Sequence, residues 1–323
     1  VHPHASVYDR VRIADWRCIS AAGDAAATLA AVTAQRRALS DDPDWGWIGS
    51  CAGSQEDLGR AVALPLLAGL RPQRIALGVG TSKGSPAMLV AGAAPLSAAP
   101  GALNARLAGD LPRGSTILPC AAAAACSTGL ACLLAGADLI ERGQADAALV
   151  GAAESSLTPL VLAGFANAGV LCGHERPEAF ARPTGFAPAA GAAALLLDAA
   201  GPWRLVAGVR LGDAGHETQF TDPATLRTAL AALWDLLPAP DLIACHATGT
   251  AAGDAYELAG LDAGPWRTAP RWLAKPWIGH TLGASGAIEL AACLEGPWRR
   301  LWKLSLGFGG HLVAVACIRD GSA

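Results

Sequence analysis

Cys126 stands in the run AACSTGL, and the periodicity beyond it predicts a helix that begins at or just after the cysteine. A thiol at a helix N-terminus meets the positive end of the macrodipole and free backbone N–H groups, both of which favour thiolate. The small neighbours Ala125, Ser127 and Gly129 leave room for a substrate chain to reach the sulfur. Taken alone, the pattern also describes a packed core cysteine, as Cys132 is expected to be. A second group, His246-Ala-Thr248-Gly-Thr250, follows the apolar run DLIAC, which puts His246 at a strand end, where α/β enzymes place their chemistry. Thr248 and Thr250, two apart, can turn their hydroxyls to one side of an extended loop and bind an amide-bearing ligand. Asp254 and Glu257 fit the start of the next helix; a capping and turn motif would have the same composition. A third group runs from Lys275 through Gly279-His280 to Gly283, Gly286 and Glu289. Its glycines allow tight turns around His280, while Lys275 supplies positive charge that Glu289 can neutralise or orient. A lone His or Lys is also an ordinary structural residue. The fourth, Gly307-Phe308-Gly309-Gly310, can offer backbone N–H groups to a developing oxyanion or simply turn between two strands.

The elements that must hold these residues show in the periodicity. Arg74–Val79, Asp146–Ala153, Ala192–Leu197, Arg204–Leu211 and Asp241–Cys245 read as strands, and Leu130–Arg142 and Ala224–Leu237 as helices. Leu130, Leu133, Leu134, Ala137 and Ile140 share one helical face, with Gly143 placed to end it. Strand–helix alternation implies an α/β fold with a buried sheet covered on both faces. Ser40–Trp47 and Pro95–Leu103 read as loops. Ala121–Ala125 are helix formers by propensity. Pro119 lies just before them and a helix start just after, so they are expected to form a buried strand or turn.

The chain has 323 residues, 52% hydrophobic and 16% charged, with a net charge of −3. That balance argues for a globular protein and against nucleic acid as the main partner. No apolar run reaches membrane-spanning length without Gly, Pro or a charge, and Val1 to Arg12 lacks the apolar stretch of a signal peptide. Nine scattered cysteines without CxxC spacing suggest reduced thiols, no zinc site and a cytoplasmic location.

In this order, the helix-start cysteine, HxTGTxxGDxxE, KxxxGHxxGAxGxxE and GFGG resemble the β-ketoacyl-acyl carrier protein synthases of the elongating type. The resemblance implies a thiolase-like α/β fold: two similar halves, 1–198 and 199–323, each with a five-stranded mixed sheet, layered α-β-α-β-α. It implies Cys126 as nucleophile, His246 and His280 as the paired histidines, and Lys275 with Glu289 as the buried lysine and its carboxylate. Thr248 and Thr250 match the residues that hold a phosphopantetheine arm. The N–H groups of Cys126 and Phe308 match the oxyanion hole, and Phe308 also matches a gating position. The implied reaction is decarboxylative condensation of an acyl thioester with malonyl-acyl carrier protein, in fatty acid, polyketide or polyene synthesis. No bound cofactor is implied. Acyl carrier protein is the implied partner, with a homodimer favoured over a heterodimer of related subunits. A chain-length-factor-like subunit would usually lack the cysteine. A thiolase would carry a second one in the Gly307–Gly310 loop, and an initiating synthase has asparagine where His280 stands. The chain departs from the family in having Ala189-Ala190-Gly191-Ala192-Ala193 in place of GxGAG, His311-Leu312 after GFGG, and fewer residues before Asp198 and between it and His246.

Overall fold

A computed structural model describes residues 5–71 and 73–321. Residues 1–4, on which part of the signal-peptide reading rests, lie outside it. The strands are β1 (Ala5–Val7), β2 (Arg12–Ile19), β3 (Ser40–Asp42), β4 (Gly46–Ile48), β5 (Arg74–Gly80), β6 (Thr116–Pro119) and β7 (Ala147–Glu154). They continue as β8 (Gly191–Asp198), β9 (Trp203–Gly212), β10 (Leu242–Ala244), β11 (Arg271–Trp272), β12 (Arg300–Gly307) and β13 (His311–Arg319). The helices are α1 (Ala25–Thr33), α2 (Gln55–Leu67), α3 (Pro86–Val90), α4 (Pro95–Ala98), α5 (Ala102–Ala108) and α6 (Thr128–Glu141). After them come α7 (Pro159–Asn167), α8 (Pro223–Leu236), α9 (Ala251–Leu261), α10 (Lys275–Ile278) and α11 (Ser285–Leu294).

One mixed sheet runs β11-β10-β12-β13-β9-β2-β8-β7-β5-β6, with β1 added alongside β9. The expectation of two sheets therefore needs correcting. Five strands lie on each side of a joint between β2 and β9, and the pairs Arg12↔Arg204 and Ile13↔Trp203 make the sheet continuous there. The expected boundary at residue 198 also has an exception, because β1 pairs with β9 in the later part of the chain.

Side-chain alternation explains the layers. In β8, Ala193, Leu195 and Leu197 join a core containing residues of α6 and α11, whereas Ala192 and Ala194 join another containing residues of α2. In β13, Val313, Val315 and Cys317 enter that first core, and Leu312, Ala314 and Ala316 enter a third with residues of α8. Helices α6 and α11 thus form a buried central layer, with α2 and α8 outside. Small residues let the two central helices meet: a Cβ on Gly129 would sit 2.8 Å from that of Ala287.

The predicted strands and the two predicted helices form within a residue or two of their expected ends. Other expectations are overturned. Ser40–Trp47 makes a hairpin, because the Asp42 carboxylate accepts from the N–H groups of Asp44 and Trp45 and Gly46 turns with φ of 75°. Pro95–Leu103 contains α4 and the start of α5, with Pro95 at the first helical position, where its missing N–H costs nothing. Ala121–Ala124 forms neither helix nor strand and Ala125 opens a 3-10 turn, so the turn expectation holds, but of the run only Ala124 is buried, against the expectation of burial. Among the described residues no helix is long and apolar enough to cross a membrane.

Candidate active site

Cys126 sits in a 3-10 turn, Ala125–Ser127, directly ahead of α6. Thr128 Oγ1 fixes the turn, accepting from the Ala124 N–H at 2.9 Å and donating to the Ala125 carbonyl at 2.8 Å. The loop after β12 closes over it. A Cβ on Gly307 would lie 2.7 Å from the Ala124 oxygen and 3.2 Å from the Cys126 nitrogen, so only glycine lets the backbones meet so closely. This brings the Phe308 N–H to the sulfur, where it favours the charged form.

His280 leaves α10 and precedes α11. Its Nε2 lies 3.2 Å from the Cys126 sulfur, and its Nδ1 lies 2.8 Å from Ser285 Oγ. The Thr281 N–H donates to that same oxygen at 3.0 Å, leaving the hydroxyl proton available. Ser285 can therefore serve either tautomer of His280, accepting from Nδ1–H or donating to bare Nδ1. His246 faces His280 edge-on, with ring centroids 5.5 Å apart, and its own Nδ1 is buried without a partner among the described residues. Its backbone is held on both sides: Glu257 accepts from the His246 and Ala247 N–H groups at 2.6 Å each, and Lys275 donates to the His246 carbonyl. Glu257 thus ties down the turn after β10 and does not serve the helix dipole as expected. Asp254 does stand in the first turn of α9, as expected, and also accepts from the Gly249 and Phe180 N–H groups. Each key residue has a non-glycine residue at positive φ within two positions: Ala125 (46°), Ala247 (43°) and Leu282 (47°). Such strain clusters where the surrounding structure fixes a functional geometry.

Lys275 and Glu289 meet at 2.7 Å, both buried. A third member of this network is Lys303, fully buried on β12, whose ammonium donates to Glu289 Oε2 at 2.5 Å and to the carbonyls of Cys245 and Leu304. Sequence reasoning missed it, although a lysine in the otherwise apolar strand LWKLSLG was a visible signal. Glu154, Lys83 and Ser82 form a further missed cluster behind the site. Lys83 pairs with Glu154 at 3.1 Å, and a Cβ on Gly283 would touch the Glu154 carboxylate at 2.7 Å.

Burial dominates the electrostatics. It pushes the Cys126 thiol up to about 11, against the lowering effect of Lys275, Lys83 and the Phe308 N–H. Burial thus opposes the thiolate that the neighbouring lysine charges and the Phe308 N–H favour. Burial, followed by the Lys275 charge, drives both histidines well below 6.5, so each is a neutral ring. Cys126, His246, His280, Thr248, Thr250 and Phe308 all line one cavity of about 130 Å³, walled by Phe165, Val170, Phe186 and Leu282. Thr248 and Thr250 hydroxyls touch at 3.1 Å.

A nucleophile, two neutral imidazoles and the Phe308 N–H on one cavity can carry acyl transfer and stabilise an enolate. Residues 113–200 match a family model described as beta-ketoacyl synthase, N-terminal domain, and residues 212–295 match its C-terminal domain. The chain is 31% identical over 189 residues to 3-oxoacyl-[acyl-carrier-protein] synthase 2 of Vibrio cholerae, covering 51% of this chain and 46% of that one. It spans about half the length of the curated relatives it matches. Its fold is similar to a type II polyketide synthase ketosynthase bound to a hexaketide in complex with its acyl-carrier protein, at a TM-score of 0.84 and 20% identity over 98% of this chain and 100% of that one. The ishigamide ketosynthase/chain length factor matches at a TM-score of 0.79 and 19% identity, over 98% and 100%.

Proposed function

This chain belongs to the β-ketoacyl synthase family, and on that premise we propose that it condenses an acyl thioester with malonyl-acyl carrier protein by decarboxylation. The observation that carries the reading is the 3.2 Å approach of Cys126 sulfur to His280 Nε2 on a cavity shared with His246. In the first half-reaction the Cys126 sulfur attacks the acyl carbonyl. Its proton passes by way of His280 to the departing carrier thiol, leaving an acyl-cysteine. The phosphopantetheine arm lies along Thr248 and Thr250 and arrives with its carrier, so no resident cofactor is needed. In the second, malonyl-carrier protein loses carbon dioxide, and His246 and His280 donate Nε2–H bonds to the enolate oxygen. The enolate carbon attacks the acyl-cysteine, whose oxygen takes the N–H groups of Cys126 and Phe308. The Cys126 thiolate leaves, and a β-ketoacyl product two carbons longer is released. Lys275 and Glu289 hold the His246 loop by backbone and charge.

Residues 1–198 and 199–323 form the two halves, each built on one five-strand set, and the protein works in the cytoplasm. A homodimer is favoured over a pairing with a related subunit, because one chain carries the full Cys–His–His set. Two features support a partner: β6 ends the sheet with an open edge, and Leu89, Val90, Leu96 and Leu160 are exposed. Mass spectrometry with a panel of acyl-carrier proteins tests the chemistry. An adduct on wild type that Cys126→Ala loses and Cys132→Ala keeps is expected; an adduct on Cys126→Ala would refute the nucleophile. Light scattering tests the assembly, and a fully active monomer would refute it.

A further inference from the structure

Behind the active-site cavity the chain leaves β5 through Thr81, Ser82 and Lys83 and meets the end of β7, where Glu154 stands fully buried. The Ser82 N–H donates to Glu154 Oε1 at 2.5 Å, while Lys83 Nζ and the Ser156 hydroxyl donate to Oε2 at 3.1 and 2.9 Å. The same carboxylate braces the 3-10 turn Leu282–Ala284: a Cβ on Gly283 would lie 2.7 Å from Glu154 Oε1 and 3.0 Å from the Ser82 nitrogen. That turn begins two residues after His280, and its Leu282 walls the cavity.

A fully buried carboxylate here is a negative charge within reach of a sulfur that must itself become negative. After burial and the Lys275 charge, Lys83 and Glu154 act on Cys126 with opposite signs, the ammonium favouring the charged sulfur and the carboxylate disfavouring it. The other titratable groups around Cys126 are committed. Lys275 of α10 and Lys303 of β12 share Glu289 of α11, His246 and His280 are neutral rings, and His311 of β13 is exposed. Among the described residues, Lys83 is the one cation in ion-pair contact with Glu154, and it does not itself line the cavity. We propose that Lys83 is a positioning residue of the condensing site: its ammonium neutralises Glu154, so that the carboxylate braces the turn beside His280 without opposing a negative sulfur on Cys126. The proposal rests on Cys126 being the nucleophile.

A balance of charges makes the two partners act in opposite directions. Lys83→Met leaves the carboxylate, still held by Ser82 and Ser156, to work against the thiolate; Glu154→Gln leaves the ammonium to work for it. Iodoacetamide alkylation of Cys126, located by mass spectrometry of its peptide, is read at about pH 9, where the rate follows the small thiolate fraction. Lys83→Met is expected to slow it about fivefold, Glu154→Gln to quicken it by a similar factor, and the double variant to return near the wild-type rate. Lys83→Arg, which keeps the charge, should keep the rate. Single variants that move the rate in the same direction, or a double variant as slow as Lys83→Met, would show a packing role and overturn the proposal; so would unchanged rates in both. If Lys83→Met does not melt cooperatively, Lys83→Gln takes its place in the series. Because alkylation reads the sulfur directly, a wild-type protein that took up no acyl group would refute the condensing reaction alone, and the rate series would still decide the role of Lys83.

Discussion

At the scale of single residues, the position of one proton decides most of the chemistry. The Cys126 thiol is pushed up to about 11, so its alkylation by iodoacetamide should keep accelerating well above neutral pH. A rate that levelled off near pH 7 would mean that the helix start outweighs burial. Ser285 is the positioning residue for His280. Ser285→Ala leaves Nδ1 without its partner and should slow condensation by about tenfold, the worth of one ordinary hydrogen bond. Ser285→Thr should restore most of it, and the nitrogen-15 shifts of His280 should report a changed tautomer balance in the alanine variant. Unchanged shifts would remove Ser285 from the mechanism. Cys126, His246 and His280 stood out in the sequence because each sits at a start or end of a periodic run. Ser285 did not, because its role depends on a ring five residues earlier being turned toward it, and spacing does not record rotamers.

At the scale of elements, β12 shows how a strand can carry charge into an apolar layer. Alternation sends Trp302, Leu304 and Leu306 toward α8 and leaves Lys303 and Ser305 facing the central helices, where Glu289 of α11 lies. Removing one member of a buried ionic network costs about 3 kcal/mol, because a charge is left unpaired. Lys303→Met should therefore lower stability by about that amount in urea unfolding, and adding Glu289→Gln should not deepen the loss in proportion. Simple additivity of the two would show that they do not share a network. The strands were legible because their runs are apolar on both faces. The hairpin at Ser40–Ile48 was not, because its strands are three residues each and depend on an Asp42 turn and on contact with the Gly173 loop. Likewise, the alanine run before Cys126 stays out of a helix where Gly80 of β5 and Gly307 of β12 come close to the Ala122 and Ala124 carbonyls, which propensity cannot anticipate.

At the scale of the molecule, the buried neutral histidines set the acid limit. Each has a folded pKa below its unfolded value near 6.5, so the unfolded chain binds more protons and stability falls as pH drops below that value. The melting temperature should decline from about pH 6.5 downward, more steeply than in a His246→Asn, His280→Asn double variant. Equal declines would place the titration elsewhere. The joint between β2 and β9 has its own consequence. Strand β1 lies on β9, α11 lies against β8 and β2, and Arg210 of β9 donates to Asp138 of α6 at 3.0 Å, so each side of the joint supplies walls of the other's interior. A backbone cut between Ala200 and Gly201 would leave two fragments, one with the thiol and one with both imidazoles, neither able to close its own interior. Expressed apart they should aggregate; expressed together they should reassemble and regain acyl loading, as in fragment complementation. A first fragment that melted cooperatively by itself would show instead that the two sides are independent folding units.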